Sequence, residues 1–119
     1  MGWQITFHDE FEFELEFDEL PLSVQDELLA SLRALKVEGP SLGGPHADTL
    51  TGSKFTNMKE LRFRANNGVW RVAFAFDPTR KAVILVAGDK VGVSQSRFYK
   101  VLIRKADSRF SAYLATLKE

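Results

Sequence analysis

The chain has no cysteine among its 119 residues, only two histidines, and no long apolar run. Without thiols it can form neither a disulfide framework nor a thiolate zinc site, and it cannot use a cysteine nucleophile. No segment has the length of a transmembrane helix, and the start MGWQITFHDE has neither the basic nor the apolar region of a secretion signal. We therefore expect a cytoplasmic protein that does not associate with membranes.

The net charge of the chain is zero, but its charged residues are unevenly distributed. Residues 1–38 hold ten acids and two bases, a net charge of −8, and residues 39–119 hold fourteen bases and six acids, a net charge of +8. The basic part could face nucleic acid, or the two parts could pair with each other across the fold. The length is sufficient for a single domain, residues 1–119, with a core of its own.

The segment from Lys54 to Lys90 reads as three consecutive strands and carries most of the candidate functional residues. Asn67-Gly68 is a strong signal for a two-residue hairpin loop, because Asn and Gly tolerate the positive φ that a type I′ turn requires. This loop predicts a register that pairs Leu61 with Phe74, Phe63 with Val72 and Ala65 with Trp70.

The same register brings arginines together on the opposite face of the hairpin. Arg64 is expected beside Arg71, with Arg62 diagonal to it, and like charges directly opposite each other on a sheet are unfavourable. A bound anion would relieve this repulsion, although the guanidinium groups could also simply be hydrated. By the period of two, Lys90 lies at the rim of this face. The sequence therefore predicts a cationic, partly apolar face, as is typical of a binding cleft.

A turn at residues 77–80, in which Pro78 fixes φ, is predicted to return the chain as a third strand over residues 81–88. This strand is expected to pair Phe74 with Val83 and Val72 with Leu85. The apolar residues of all three strands should then share one buried face with the first long helix. The predicted members of this face are Leu61, Phe63, Trp70, Val72, Phe74, Val83, Leu85, Leu28, Leu32 and Leu35.

Two helices flank the strands. Ser23 is the predicted N-cap of the first, whose apolar residues recur at helical spacing until Gly39-Pro40 ends it. Ser94 is the predicted N-cap of the second, which runs to about Leu117 with Arg109 on a face away from the core. Its predicted buried stripe comprises Phe98, Leu102, Ala106, Phe110, Tyr113, Leu114 and Leu117.

Three other segments have weaker patterns. Residues 3–7, WQITF, are typical of a short strand. Residues 9–20 alternate apolar residues with Glu in the manner of a strand, but Phe13, Phe17 and Leu20 also fit one face of a helix, so the pattern leaves both open. Residues 40–53 contain too many Gly, Pro and small polar residues for regular structure and are predicted to form a loop.

Several motifs, in their order along the chain, resemble a known family: VQDELLASLRAL, GPSLG, DTLTGSKFTNMKELRF, GVWRVAFAFDP, LVAGDK, RFYKVLI and KADSRFSAYL. They are similar to the HigB/Gp49-like branch of the RelE/ParE superfamily, the toxins of type II toxin-antitoxin systems. The resemblance implies an α+β fold in which two N-terminal helices pack on an antiparallel sheet with a C-terminal helix beside it, so that residues 9–20 would be helical. It also implies ribosome-dependent mRNA cleavage that inhibits translation in the bacterial cytoplasm, and a helix-turn-helix antitoxin as partner.

The chemistry implied by this resemblance uses the neighbouring 2′-OH of the RNA as nucleophile and needs neither a metal nor a cofactor. Arg71 matches the arginine of the family's WRV or YRV strand and is assigned to the scissile phosphate, with a neighbouring arginine as companion. Lys90 is the general base or a second electrostatic group, since a lysine among arginines has a lowered pKa. Tyr113 or Tyr99 would protonate the leaving 5′ oxygen. The candidate catalytic residues are Arg71, Lys90, Arg62 and Tyr113, and the candidate substrate-binding residues are Arg64, Lys59, Arg97 and Tyr99.

The chain departs from the family pattern at two positions. Gly44 stands where family members usually have Arg in LGRP, which removes a guanidinium that could bind phosphate. Tyr113 stands where they usually have His. The alternative to an active endoribonuclease is therefore a weakened or non-catalytic homologue that acts by binding alone, either by sequestering an antitoxin or by contacting DNA gyrase as the ParE branch does.

Overall fold

The computed structural model describes residues 2–9, 11 and 16–118. These residues form a five-stranded sheet with a long helix on each face. No helix among them is long and apolar enough to cross a membrane. The elements are β1 (Gln4–Phe7), α1 (Glu16–Glu19), α2 (Leu22–Glu38), β2 (Ala47–Thr49), β3 (Met58–Ala65), β4 (Gly68–Phe76), β5 (Lys81–Asp89) and α3 (Gln95–Thr116).

The strands lie in the order β1-β5-β4-β3-β2. β1 pairs in parallel with β5, and the other neighbouring pairs are antiparallel. The expected α+β class, with helices before and after the strands, is confirmed. The sheet is nevertheless mixed and not wholly antiparallel, because the N-terminal strand joins it through a long crossover, the only kind of connection that allows parallel pairing.

The β3–β4 hairpin turns at Asn66 and Asn67, whose φ values are 50° and 60°. Both residues have the positive φ of a type I′ turn, so the turn type is as expected but begins one residue earlier. Gly68 belongs to β4 instead of the loop. A Cβ at this glycine would lie 2.6 Å from Trp70 Nε1 and 2.7 Å from Asp89 Oδ2, so a side chain has no room there.

The earlier turn displaces the pairing by two residues and changes which arginines meet. Because the displacement is even, each side chain of the hairpin keeps its predicted face. Arg62, and not Arg64, is directly opposite Arg71, while Arg64 is opposite Val69. The predicted apolar pairs are likewise wrong, since Leu61 is opposite Val72 and Phe63 is opposite Trp70.

The β4–β5 connection differs from the prediction by one residue. Asp77 N donates to Lys81 O, so the loop consists of three residues and ends at Arg80, whose φ is 67°. A type I turn followed by one left-handed residue is a common three-residue hairpin loop. A change of one residue moves the alternating side chains of β5 to the other face.

A β-bulge between Ala73 and Phe74 shifts the β4–β5 register by one further residue. Phe74 is opposite Ile84, but Ala73 is opposite Val86, which leaves Leu85 as the extra residue. Consequently Leu85 and Val86 both lie in the core under α3.

Each face of the sheet has its own core. Leu61, Val72 and Phe74 pack under α2 as predicted, with Phe63 against them. Val83 and Leu85 were expected there but lie in the core under α3, and Trp70 is only half-buried. The α2 core comprises Phe11, Leu28, Leu32, Leu35, Leu42, Ala47, Leu61, Val72, Phe74, Ala82 and Ile84. The α3 core comprises Leu50, Met58, Ala73, Ala75, Val83, Leu85, Val86, Phe98, Leu102, Ala106 and Phe110.

The long helices lie where the sequence places them, with differences at their ends. α2 begins at Leu22 with Pro21 as N-cap, so Ser23 lies within the first turn and is not the cap. Ser94 is the N-cap residue of α3 as predicted, but its side chain makes no capping hydrogen bond within the described residues. Leu117, predicted to be buried, is exposed.

Arg109 is buried, contrary to its predicted position away from the core. Its guanidinium donates to Leu85 O at 2.6 Å and to both carboxylate oxygens of Glu16 at 3.0 and 2.6 Å. The hydrogen bond from Arg109 is the largest cause that lowers the pKa of Glu16, and burial partly offsets it. The pair joins α1 to α3, so at this point the acidic and basic parts of the sequence do pair across the fold.

The weaker patterns have mixed outcomes. Residues 4–7 form the expected strand, and Glu16–Glu19 is helical as the family resemblance implies. Residues 10 and 12–15 lie outside the described part, so their predicted conformation stays a prediction. Residues 40–53 are more regular than expected, because Ala47–Thr49 pairs with β3 and Gly39–Ser41 forms a turn of 3₁₀ helix.

Candidate functional site

The centre of the candidate site is a buried carboxylate between two arginines. Arg62 and Arg71 are directly opposite each other on the α3 face of the hairpin, and Glu60 lies two residues before Arg62 on the same face. Glu60 Oε2 is 3.3 Å from Arg62 Nη2, and Glu60 Oε1 is 3.4 Å from Arg71 Nε. The repulsion expected between the arginines is thus relieved, at least in part, by the protein's own acid.

Tyr99 reaches this group from the first turns of α3. Its hydroxyl donates to Glu60 Oε1 at 2.8 Å and accepts from Arg71 Nε at 3.2 Å. Burial and the hydrogen bond to Glu60 raise the pKa of Tyr99, and the hydrogen bond from Arg71 partly offsets this rise. The hydroxyl therefore carries its proton at neutral pH and can donate it.

Lys90 completes the group from the end of β5. Its backbone N–H donates to Val69 O at 2.8 Å, and its Nζ lies 5.6 Å from the centroid of the Tyr99 ring. Burial and the charge of Arg71 lower the pKa of Lys90, while Glu60 has the opposite effect. We call these five residues, Glu60, Arg62, Arg71, Tyr99 and Lys90, the arginine cluster.

Three members of the arginine cluster, Glu60, Arg62 and Tyr99, line an open cavity of about 550 Å³. Arg62 Nε is buried and has no hydrogen-bond partner among the described residues. The three cations exceed Glu60 by two charges, and the exposed Asp48, 3.2 Å from Arg62 Nη2, reduces this excess to one. A net charge this small suits the binding of one small anionic group better than that of an extended polyanion. The cavity lining comprises Asp48, Thr49, Leu50, Thr51, Glu60, Arg62, Gln95, Ser96 and Tyr99.

Four of the predicted site residues lie elsewhere. Lys59 is on the α2 face of β3, and its Nζ donates to Pro40 O at 3.3 Å. Arg64 is exposed near the hairpin turn. Arg97 lines a separate groove along α3 and the end of β5.

Tyr113 is the fourth, and the structure does not bring it to the cluster. It lies fourteen residues after Tyr99 on α3, which corresponds to ~21 Å along the helix. Its hydroxyl donates to Asp77 Oδ2 at 2.7 Å, at the β4–β5 turn. Burial and Asp77 raise the pKa of Tyr113 to about 12. Tyr113 therefore fastens α3 to a turn, and Tyr99 is the tyrosine that lies within the arginine cluster.

Glu60 was missed as a site residue in the sequence, although a signal for it exists. It stands in the KELRF motif, and the period of two places it on the face of Arg62 and Arg64. An acid within a row of arginines reads as an ordinary surface partner, and only the packing of α3 shows that it is buried. Gly44 is one of the two positions at which the chain departs from the family pattern. It has a φ of 67°, a conformation that suits glycine and that arginine rarely adopts.

Fold and site together define a small α+β domain with a cluster of three cations around one carboxylate on one face of its sheet. The family described as "Phage derived protein Gp49-like" matches residues 15–111, and the chain belongs to this family. It is 41% identical over 93 residues to "Putative toxin HigB2" of Mycobacterium tuberculosis, covering 77% of this chain and 46% of that relative. It is 46% identical over 82 residues to "Putative toxin HigB3" of the same organism, covering 69% of each. No solved structure matches the chain significantly.

Proposed function

We propose that this protein is the toxin of a type II toxin-antitoxin system and inhibits translation as an endoribonuclease that cleaves mRNA on the ribosome in the cytoplasm. The toxin names of its two relatives support the first part. The second part rests on the convergence of Arg62, Arg71, Lys90 and Tyr99 in one cluster, in which Arg62 and Tyr99 line a cavity. These groups supply the charge and the proton that cleavage of a phosphodiester requires.

The proposed reaction is attack of the 2′-OH on the adjacent phosphorus. The 2′ oxygen forms a bond to phosphorus as the bond to the 5′ oxygen breaks, which leaves a 2′,3′-cyclic phosphate and a 5′-hydroxyl. Negative charge grows on the phosphoryl oxygens in the transition state, and preorganised donors at that position are the largest contribution a protein can make. We assign Arg71 and Arg62 to these oxygens, with Arg62 as the companion arginine because it is directly opposite Arg71.

Two proton transfers accompany the attack. Lys90 is the candidate to accept the 2′-OH proton, since its lowered pKa makes the neutral amine more accessible than in an ordinary lysine. Tyr99 is the candidate to donate a proton to the 5′ oxygen, since its hydroxyl remains protonated. Both groups belong to the arginine cluster, so in this scheme the protein itself supplies the base and the acid.

The proposed partner is a helix-turn-helix antitoxin that masks the arginine cluster or blocks docking on the ribosome. We expect acidic residues of the antitoxin near Arg62, Arg64, Arg71 or Lys90, because charge-assisted hydrogen bonds to arginine are among the stronger ones. A structure of the complex tests this. An antitoxin that leaves both the cluster and ribosome docking unobstructed would contradict it.

The alternative is a protein that acts by binding alone. The pairing of Glu60 with both arginines favours it, since the protein already satisfies part of the charge that an RNA phosphate would use. Induced expression with mapping of mRNA 5′ ends, with and without ribosomes, separates the two. The proposed function predicts new 5′ ends only in ribosome-bound mRNA, whereas growth inhibition without new 5′ ends would support the alternative.

A further inference from the structure

We infer that Glu60 is the positioning residue of the arginine cluster, holding Arg71, Arg62 and Tyr99 in the geometry that cleavage needs while weakening the binding of RNA in the ground state. The inference rests on the proposed endoribonuclease function. It assigns a role to the one member of the cluster that the proposed reaction leaves unused.

Glu60 is the hub of the cluster's hydrogen bonds. Its Oε1 accepts from the Tyr99 hydroxyl at 2.8 Å and lies 3.4 Å from Arg71 Nε, and its Oε2 accepts from Arg62 Nη2 at 3.3 Å. These partners belong to β3, β4 and α3, so one carboxylate ties the β3–β4 hairpin to a helix that begins about 20 residues after it.

The surroundings of Glu60 argue against direct contact with the substrate. Glu60 borders the cavity, but its side chain is only 4% exposed, and both of its oxygens are engaged by neighbouring donors. A general base must come within hydrogen-bond distance of the hydroxyl that it deprotonates. Glu60 therefore acts through its neighbours.

The contacts also determine which donors face outward. Arg71 uses Nε toward Tyr99 and Nη1 toward Trp70 O at 2.9 Å, and its Nη2 has no partner among the described residues. Arg62 uses Nη2 toward Glu60 and Asp48. Holding one edge of a guanidinium fixes the direction of its remaining N–H groups, because the group is planar.

The same carboxylate has a cost for binding. It cancels one of the three positive charges that would attract an RNA phosphate. Removing the charge should therefore strengthen RNA binding while it releases the arginines and Tyr99 from their fixed orientation. This opposite effect on binding and on rate distinguishes positioning from a purely structural role.

The test compares Glu60→Gln with Glu38→Gln as the matched control. Glu38→Gln makes the same chemical change, but Glu38 is exposed at the end of α2, on the opposite face of the sheet from the arginine cluster. Single-turnover cleavage of mRNA on programmed ribosomes, at increasing protein concentration, gives the maximal rate and the half-saturating concentration. Binding without cleavage is measured with a 2′-O-methyl RNA oligonucleotide over a range of salt concentrations.

We expect Glu60→Gln to lower the maximal rate about 10²-fold, the scale of loss from a small misplacement of catalytic groups. Its half-saturating concentration should be unchanged or lower, and its oligonucleotide binding tighter, with a salt slope steeper by roughly 0.7 for one additional neutralised phosphate. Glu38→Gln should bind RNA as the wild type does and cleave it at the wild-type maximal rate. The pH–rate profile of Glu60→Gln should keep both limbs at a lower plateau but shift toward lower pH, because Glu60 raises the pKa of both Lys90 and Tyr99.

A folded Glu60→Gln protein with the wild-type maximal rate would overturn the inference, as would a loss confined to the half-saturating concentration. Disappearance of the acidic limb of the pH–rate profile would overturn it in favour of a general base. If Glu60→Gln does not fold, Glu60→Asp carries the test, because it keeps the charge but withdraws it by about one bond length of ~1.5 Å, and wild-type turnover in that variant would overturn positioning. Wild-type protein that leaves mRNA intact would overturn the proposed function and this inference together, which distinguishes the two failures.

Discussion

Replacement of Arg71 by Ala is the most direct perturbation of the proposed chemistry. The side chain lies on the α3 face, away from the α2 core, and contributes a charge 3.4 Å from Glu60 and a hydrogen bond to Tyr99. Removing one preorganised donor from a site of developing negative charge typically lowers the rate by about 10²–10³-fold, or ~2.7–4 kcal/mol. We expect Arg71→Ala to lose mRNA cleavage by this factor and to lose growth inhibition with it.

The effect of Arg71→Ala on folding should be moderate. The sequence alone suggested almost no cost, but the side chain is 14% exposed and also donates to Trp70 O. Its loss leaves Glu60 with Tyr99 and Arg62 as partners, so we expect the free energy of unfolding to fall by about 1–2 kcal/mol. Thermal or denaturant unfolding of the purified variant measures this, and a folded fraction near one at the assay temperature is required before its activity is interpreted.

Arg64→Ala is the matched control for this experiment. Arg64 is an arginine of the same strand face, but it is exposed and opposite Val69, so it does not take part in the like-charge pair that the sequence predicted. Its removal should change the free energy of unfolding by less than about 0.5 kcal/mol and leave cleavage within a few-fold of the wild type. Mapping of mRNA 5′ ends on translating ribosomes serves for both variants. Full cleavage by a folded Arg71→Ala protein would refute the assignment of Arg71 and favour the binding-only alternative.

Tyr99→Phe should lower cleavage about 10²-fold because it removes the proton donor of the cluster, whereas Tyr113→Phe should leave cleavage unchanged; equal losses in the same 5′-end assay would contradict this division of roles. Tyr113→Phe should instead lower the free energy of unfolding by about 1–2 kcal/mol, because Asp77 loses one of its hydrogen bonds. Because burial and Asp77 raise the pKa of Tyr113 from 10.0 to about 12, the stabilisation is complete below pH 10 and is lost as the pH rises through about 12. Denaturation of the wild type over this range should show the loss, and Tyr113→Phe should show much less of it. On the acid side, the hydrogen bond from Arg109 lowers the pKa of Glu16 below 4.5, so its stabilisation is present above pH 4.5 and is lost as the pH falls through the lowered value. Glu16→Gln should therefore reduce the dependence of the unfolding free energy on pH in this range, and an unchanged acid limb would show that the Glu16 pair contributes little.

The sequence by itself determined the features that depend on neighbouring residues. The period of the apolar residues placed α2 and α3 to within a few residues, and the period of two assigned the hairpin side chains to the correct faces even though the register was displaced. The turn type followed from the tolerance of Asn for positive φ, although the sequence placed the loop at Asn67 and Gly68 instead of Asn66 and Asn67. The assignment of Arg71 came from the resemblance of the motifs to the family, and the geometry now supplies its neighbours.

Tertiary structure decided the features that depend on residues far apart in the chain. The turn lies one residue earlier than predicted, and a three-residue loop with a bulge at Ala73 and Phe74 sent Val83 and Leu85 to the opposite face. Periodicity could not have revealed either, because it fixes alternation within a strand and not the register between strands. The roles of Glu60 and Arg109 likewise depend on where α3 packs, since that helix makes one carboxylate the hub of the arginine cluster and turns an apparently solvated arginine into a buried ion pair.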